Sequence, residues 1–260
     1  MDPNMRHAIA TLPLVLPLAA GAATNEPPAA LPRGDCAAPA AHHDLAHCNF
    51  TGLDRPGIDL RGARLDAVVF ENANLKDCKL GGASLRKANL KWAVLSGCDL
   101  SGADLSEADL FHTSLVSARL EGASLAGANL FGAYLDGIRA TGADFSGAYL
   151  KDISLEDADL GGSRLDNAYM FRAVLINSRL NDASIRRTVL TGAALEGVDL
   201  SGADLAGSLL NGAVLNGTRW VGARLTDARF VNAVLAGADF SGAQEIPAHL
   251  SALLEKPEKR

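Results

Sequence analysis

The sequence is poor in aromatic residues and has no excess of positive charge. Phe, Trp and Tyr make up 5% of the 260 residues, and the net charge is −6. This charge argues against a nucleic-acid-binding protein that relies on a basic face, and it is too small to establish an acidic mimic of DNA. The 26 glycines and a 48% hydrophobic share, mostly Leu and Ala, are typical of a repeat protein rather than an irregular globule.

Motifs of catalysis are also missing from the sequence. It contains no glycine-rich phosphate loop, no P-loop lysine and no nucleophile elbow. Its carboxylates lie at regularly spaced outward positions rather than in one cluster. We therefore expect no catalytic residues and no cofactor, and the protein is interpreted as a non-enzyme.

The first residues lack the length of a membrane span but have the pattern of an export signal. Arg6 precedes an apolar stretch from Ala8 to Ala20, and Gly21 to Ala23 supply a small-residue cleavage site. We expect an export signal at residues 1–23 and a proline-rich linker at residues 24–43. This predicts a periplasmic or secreted protein. The alternative is an apolar leader retained on a cytoplasmic protein.

A period of five residues dominates the rest of the chain. From Leu60 to Phe240 every fifth residue is large and apolar, except Ala140. Two positions before each large residue stands a compact one, usually Ala. Neither an α-helix, with a period of 3.6, nor a strand, with a period of 2, keeps such residues on one face. The pattern requires a coil on a larger scale, with two inward and three outward positions per repeat.

Glycine and charge indicate four repeats per coil. Glycine recurs every twenty residues from Gly62 to Gly242, with only Asp182 interrupting the row. Charges from Asp59 to Asp239 alternate in sign at the same period, except at the step from Arg119 to Arg139. Stacked coils about 4.8 Å apart explain the alternation, because like charges in adjacent coils repel.

Segments such as SGADLSEADL, EGASLAGANL and SGADLAGSLL resemble the A(D/N)LXX pattern of the pentapeptide-repeat family. The resemblance covers residues 44–243. It implies an all-β solenoid, a right-handed quadrilateral parallel β-helix, which agrees with four repeats per coil. About nine coils at ~4.8 Å would give a rod roughly 44 Å long.

The ends of a solenoid need caps. Residues 244–260 change period, and Ile246, Leu250, Leu253 and Leu254 form an apolar stripe after Pro247. We expect a short C-terminal capping helix there. The alternative is that this stripe contacts a second copy of the chain.

The four cysteines form two pairs in the sequence. Cys36 and Cys48 flank the first, imperfect coil, and in an oxidising compartment they are the candidate disulfide. Cys78 and Cys98 occupy inward small positions twenty residues apart. They are close enough to be bridged, but we favour two small buried thiols.

Histidines cluster before the first coil, but their spacing does not match a closed tetrahedral metal site. His42, His43 and His47 stand beside Cys48, and His43 and Cys48 fall on inward positions. We therefore expect no bound metal.

The candidate functional surface is a patch of outward apolar residues on two neighbouring faces. Contiguous apolar patches on a soluble rod mark interfaces. The alternative is that parallel sheets simply favour aromatic and β-branched ladders. The candidate interface residues are Trp92, Phe111, Phe131, Tyr134, Tyr149, Tyr169, Phe171 and Leu209.

Three functions compete. The first is a non-catalytic, exported β-helical scaffold or binding module that contacts a protein partner or a second copy, without direct nucleic-acid binding or membrane insertion. The second follows from the family resemblance, because fluoroquinolone-resistance members resemble B-form DNA and bind DNA gyrase. An export signal and mixed-sign charge rows oppose it here. The third is a polysaccharide-directed enzyme or lectin, which requires Asp, Arg and aromatic residues around one groove.

Overall fold

The computed structural model describes residues 30–254 of the chain. The export signal expected at residues 1–23 lies outside the described residues. From the first coil onward, parallel bridges join residues twenty positions apart, as between Asp99 and Arg119 or Asn89 and Asp109. Four five-residue sides therefore complete each coil, and the chain is a right-handed quadrilateral parallel β-helix.

Each corner of the coil is a turn whose second corner residue has a positive φ. Ala103 N donates a hydrogen bond to Leu100 O at 3.0 Å, and Gly102 between them has a φ of 64°. This is the geometry of a type II turn, which favours glycine at that position. Because every corner needs this geometry, glycine is frequent on all four corners, and Asn72 and Asp77 adopt the same conformation elsewhere.

Each side presents one outward bridging residue per coil, and these residues define four faces. In steps of twenty residues, the charged face runs from Asp59 to Asp239 and the mixed face from Arg64 to Arg224. The aromatic face runs from Val69 to Arg229 and the uncharged face from Val94 to Val234. Along the chain the faces follow in this order, so the uncharged face adjoins the aromatic face on one side and the charged face on the other.

The core is a stack of large and small side chains inside the coils. Leu100 and Ala103 are buried, as are their equivalents through most of the rod. At the one break in the large row, Ala140 and Ile138 are both buried, so the large and small side chains have exchanged places within one repeat. Close packing makes this exchange necessary, since a small residue at both positions would leave a cavity.

The segment before the first coil pairs with that coil. Arg33 forms a parallel bridge with Asp44, and Gly34 N donates to Asp44 O at 2.8 Å. A disulfide joins Cys36 to Cys48, the pair that the sequence predicts. Residues that the sequence assigns to the linker thus cover part of the first coil's edge.

A second disulfide joins Cys78 to Cys98. The favoured interpretation of these residues as two buried thiols is therefore wrong. Both occupy the same inward position in consecutive coils, and their Cα atoms lie 4.5 Å apart. Coil stacking itself brings them within the distance that a disulfide spans.

The C-terminal end carries an α-helix, α1, at Ala248–Leu254. Leu250 of α1 is fully buried and Ile246 packs against the core, whereas Leu254 of the predicted stripe is exposed. His249 Nε2 accepts a hydrogen bond from Phe230 N at 3.1 Å. In the last coils the rings of Trp220, Phe230 and Phe240 pack together inside the rod. Among the described residues, no helix is long and apolar enough to cross a membrane.

Candidate functional site

Most of the candidate interface residues form one aromatic column along the aromatic face and its corner with the uncharged face. The column contains Phe111, Phe131, Tyr149, Tyr169 and Phe171. Successive ring centroids lie 5.5, 6.2, 5.3 and 6.2 Å apart. Trp92 packs edge-on against Phe111 at 5.2 Å. We call these six residues the aromatic column.

The rings of this column lie nearly parallel to one another. The interplanar angles between successive rings from Phe111 to Phe171 range from 2° to 17°. Parallel rings with centroids 5.3 to 6.2 Å apart are offset from one another, so neighbouring ring faces cover each other in part and ring edges contribute to the exposed surface. Ring edges carry positive partial charge and favour carbonyl oxygens or the faces of other aromatic rings.

His112 belongs to the same cluster, although it is not among the candidate interface residues predicted from the sequence. Its ring stacks on Trp92 with centroids 4.5 Å apart and an angle of 3°. A Cβ atom on Gly132 would lie 2.5 Å from His112 Cε1, so glycine leaves the space that the imidazole fills. The signal was present in the sequence, because Trp92, His112 and Gly132 share one corner row at intervals of twenty.

Trp92 and His112 occupy the left-handed backbone conformation that their whole corner row adopts, in which glycine, Asn, Asp and Arg fill the other coils. Their φ angles are 60° and 51°, whereas Gly132, Gly192 and Gly212 fill the same row further along. Bulky residues in the left-handed region carry a conformational cost of order 1 kcal/mol or more. About half of the Trp92 surface, 49%, is nevertheless exposed.

Charged side chains frame the column. Lys151 Nζ lies 5.3 Å from the centroid of the Phe131 ring and 3.8 Å from Asp152 Oδ2. Arg172 Nε lies 3.4 Å from Asp152 Oδ1. The hydrogen bond from Lys91 to Asp109 raises the pKa of Lys91.

Two predicted interface residues lie outside the column. Tyr134 is 51% exposed on the neighbouring uncharged face, between Ser114 and Ser154. Leu209 continues the outward row of the aromatic face beyond Tyr169, separated from it by Val189. The structure therefore divides the predicted patch between two faces.

The remaining candidate sites are small. Between residues 30 and 254, no group of three or more His, Cys, Asp and Glu side chains is arranged to hold a metal ion. Of the predicted histidine cluster, His43 Nδ1 contacts Ala41 O at 2.7 Å, and His42 packs over Gly62. Cavities of about 360 and 650 Å³ lie at the N-terminal disulfide and beside α1, respectively.

The family model described as Pentapeptide repeats matches the chain in eight overlapping stretches. They are residues 44–82, 57–91, 83–127, 103–139, 123–162, 153–192, 168–207 and 203–244. Comparison with curated proteins gives no match.

Several solved structures are similar to this chain. One is HetL from the cyanobacterium Nostoc sp. strain PCC 7120, a pentapeptide repeat protein involved in heterocyst differentiation regulation. Its sequence is 29% identical to this chain. The alignment covers 77% of this chain and 88% of HetL, with a TM-score of 0.45. Rfr23 from the cyanobacterium Cyanothece 51142 is 20% identical to this chain. The alignment covers 43% of this chain and 90% of Rfr23, with a TM-score of 0.34. QnrB1, a plasmid-mediated fluoroquinolone resistance protein, is 16% identical to this chain. The alignment covers 84% of this chain and 94% of QnrB1, with a TM-score of 0.36.

Proposed function

Because the chain belongs to the pentapeptide-repeat family, we propose that it is a non-catalytic scaffold or binding module that acts through protein–protein contacts on the faces of its β-helix. The observation that carries the proposal is the aromatic column on one face, with exposed Trp92 at its end. Interfaces are enriched in aromatic residues, and Trp and Tyr dominate their energetics.

The orientation of the rings favours a protein over a sugar as the partner. Carbohydrate binding uses exposed aromatic faces, whereas this column offers ring edges. Backbone carbonyls and aromatic side chains of a protein are suitable partners for such edges. The framing charges at Lys91, Lys151 and Arg172 then lie at the rim, where they influence specificity more than affinity.

We also propose that the protein acts outside the cytoplasm. Cys36–Cys48 and Cys78–Cys98 account for every cysteine in the chain. Disulfides persist in oxidising compartments such as the bacterial periplasm and are rare in the cytosol. The export pattern at residues 1–23 supports the same location. The gyrase hypothesis is less well supported, since the charged face alternates Asp with Lys or Arg instead of concentrating carboxylates.

The proposal is tested with a double variant, Phe131→Ser and Phe171→Ser. Both side chains are partly exposed members of the column, and their loss should weaken partner capture or self-association at least tenfold. Truncating a buried aromatic anchor at an interface costs about 2 kcal/mol or more, and about 1.4 kcal/mol corresponds to tenfold in affinity. Affinity capture from the periplasmic fraction and sedimentation of the purified protein provide the two measurements.

A matched control carries Arg139→Ser and Arg179→Ser on the charged face, which lies on the opposite side of the rod. The control should bind as the unmodified protein does. The proposed role of the column is wrong if the Phe131→Ser, Phe171→Ser variant retains both self-association and partner capture.

A further inference from the structure

The uncharged face differs from the rest of the rod over almost its entire length. Between Val94 and Val234 its outward row contains no ionisable group other than the Tyr134 phenol. Asp54 and Asn74 precede this stretch in the first two coils, and Asp136, Glu156 and Glu196 lie at the corner with the charged face. On the charged face, every outward bridging residue from Asp59 to Asp239 is Asp, Lys or Arg. The members of the uncharged row are Val94, Ser114, Tyr134, Ser154, Val174, Ala194, Val214 and Val234.

Several of these apolar side chains are open to solvent. Val94 is 37% exposed, Tyr134 51% and Val234 48%. The serine hydroxyls in the row have partners within the chain, since Ser114 Oγ lies 2.9 Å from Ser96 Oγ and Ser154 Oγ donates to Asp136 Oδ1 at 2.5 Å. A second surface can therefore cover this row without leaving those hydroxyl groups unpaired.

We propose that this face pairs with the same face of a second copy, with the two rods antiparallel. The proposal goes beyond the partner-binding role of the aromatic column, because most of the contact surface lies on the neighbouring face and only the corner residues of the column take part. The twofold axis lies between the two faces, perpendicular to the rods, midway between the coils of Ser154 and Val174. It places the row of one copy opposite the row of the other from end to end.

The row is complementary to itself in this register. Bulky Tyr134 of one copy lies opposite compact Ala194 of the other, and Ser154 lies opposite Val174. Val94 meets Val234, so two of the most exposed valines cover each other. Side chains of unequal size interdigitate between packed sheets, which lie about 10 Å apart.

The corner shared with the aromatic face fits the same register. Trp92 of one copy approaches Val231 of the other, which is 55% exposed. Lys151 and Asp152 approach Phe171 and Arg172 of the other copy, so Asp152 faces an opposite charge. At the second corner, shared with the charged face, Asp136 of one copy approaches Glu196 of the other, so this corner contributes repulsion and the apolar row supplies the attraction. A parallel arrangement would instead place Tyr134 against the other Tyr134, between two pairs of serines.

The area of the face is close to the smallest that standard dimers bury. From Val94 to Val234 the row is about 34 Å long at ~4.8 Å per coil, and a side with its corners is roughly 15 Å wide. The resulting plan of roughly 500 Å² lies just under the lower end of standard interfaces, about 600 Å² per partner, and exposed corner residues such as Trp92 and Val231 add to it.

The first test measures the mass of the purified, oxidised protein by light scattering at about 50 µM. We expect a dimer, and Ala194→Glu should weaken it at least tenfold, because the carboxylate would be buried against Tyr134. Ser184→Glu, a substitution of similar size on the mixed face, is the matched control and should remain dimeric. A monomeric unmodified protein, or an Ala194→Glu variant that stays dimeric, overturns the proposal.

The second test measures the orientation. A nitroxide attached at Ser96→Cys, on the rim of the face, should give an intermolecular distance of about 35 Å in the antiparallel pair, against about 18 Å in a parallel one. The shorter distance overturns the antiparallel register. Loss of partner capture in the Phe131→Ser, Phe171→Ser variant is a separate result, since Ala194 lies outside the aromatic column.

Discussion

Buried hydroxyl groups connect neighbouring coils through hydrogen bonds. Ser178 Oγ accepts from Ala158 N at 3.0 Å and donates to Leu155 O at 2.5 Å. Thr188 Oγ1 donates to Leu165 O at 2.6 Å in the same manner. Ser163 occupies an equivalent buried position, but its hydroxyl has no partner within the described part of the chain. Similar buried serines thus differ in their contribution to stability.

This difference predicts opposite effects for two Ser→Ala substitutions. Ser163→Ala removes an unpaired buried polar group and should raise the free energy of unfolding by about 1 kcal/mol. Ser178→Ala leaves Ala158 N and Leu155 O without their partner and should lower it by about 1 to 3 kcal/mol. Urea unfolding of both variants measures the effects, and a shift of both midpoints in the same direction contradicts the assignment.

Sequence periodicity predicts which residues share a row but not how their side chains meet. It places the aromatic residues from Trp92 to Phe171 at outward positions, and the structure finds them in contact. It does not include His112, because its stacking on Trp92 depends on rotamers and on the space above Gly132. It places Tyr134 on the neighbouring face, and the structure finds it there, between Ser114 and Ser154.

At the scale of elements, the N-terminal cap is held by a disulfide and an ion pair. Besides the Cys36–Cys48 bridge, Arg64 donates two hydrogen bonds to the Asp44 carboxylate, at 2.9 and 2.6 Å. Hydrogen bonds from the Arg64 side chain and from Ala46 N lower the pKa of Asp44, so the carboxylate stays ionised. The disulfide fastens the segment before the repeats to the first coil, and the ion pair joins the first coil to the second.

Removing the cap disulfide should therefore loosen one end of the rod. The variant Cys36→Ser, Cys48→Ser loses a stabilisation of about 3 kcal/mol on the loop-entropy model. Hydrogen exchange should accelerate at Leu45 N and Phe50 N, which pair with the second coil, while exchange near Leu150 stays unchanged. The control is Cys78→Ser, Cys98→Ser, whose effect should centre on the second and third coils. Uniform acceleration along the rod would contradict a local cap.

The end elements were less predictable than the repeats. Pro247 and the change of period predict the helix, yet of the expected stripe Leu250 is buried and Leu254 exposed. Periodicity places Cys78 and Cys98 at the same inward position in consecutive coils, but it does not determine whether the two thiols are oxidised to a disulfide. Repeats constrain each other through identical neighbours, whereas each end makes unique contacts.

At the scale of the whole molecule, the faces divide the surface by chemistry. The charged face alternates acidic and basic residues, and Arg119 NH1 lies 3.8 Å from Asp99 Oδ2 in the adjacent coil. Exposed pairs of this kind contribute only about 0 to 1 kcal/mol each, so the ladder matters more for register than for stability. The aromatic and uncharged faces adjoin each other, and together they carry the exposed Trp92, Tyr134, Tyr149 and Tyr169.

The compartment determines which partners the rod can meet, and the intact mass of the native protein measures it. We expect a periplasmic species that lacks about 23 residues and is lighter than the reduced chain by the hydrogens of two disulfides, about 4 Da. Reduction before the mass measurement is the control, since it should add back only the mass of the disulfide hydrogens and leave the N-terminal truncation unchanged. A full-length, reduced species in the cytoplasm would contradict export and both bridges in the cell. DNA gyrase would then be accessible to the protein, and inhibition of gyrase would become the assay that distinguishes the remaining functions.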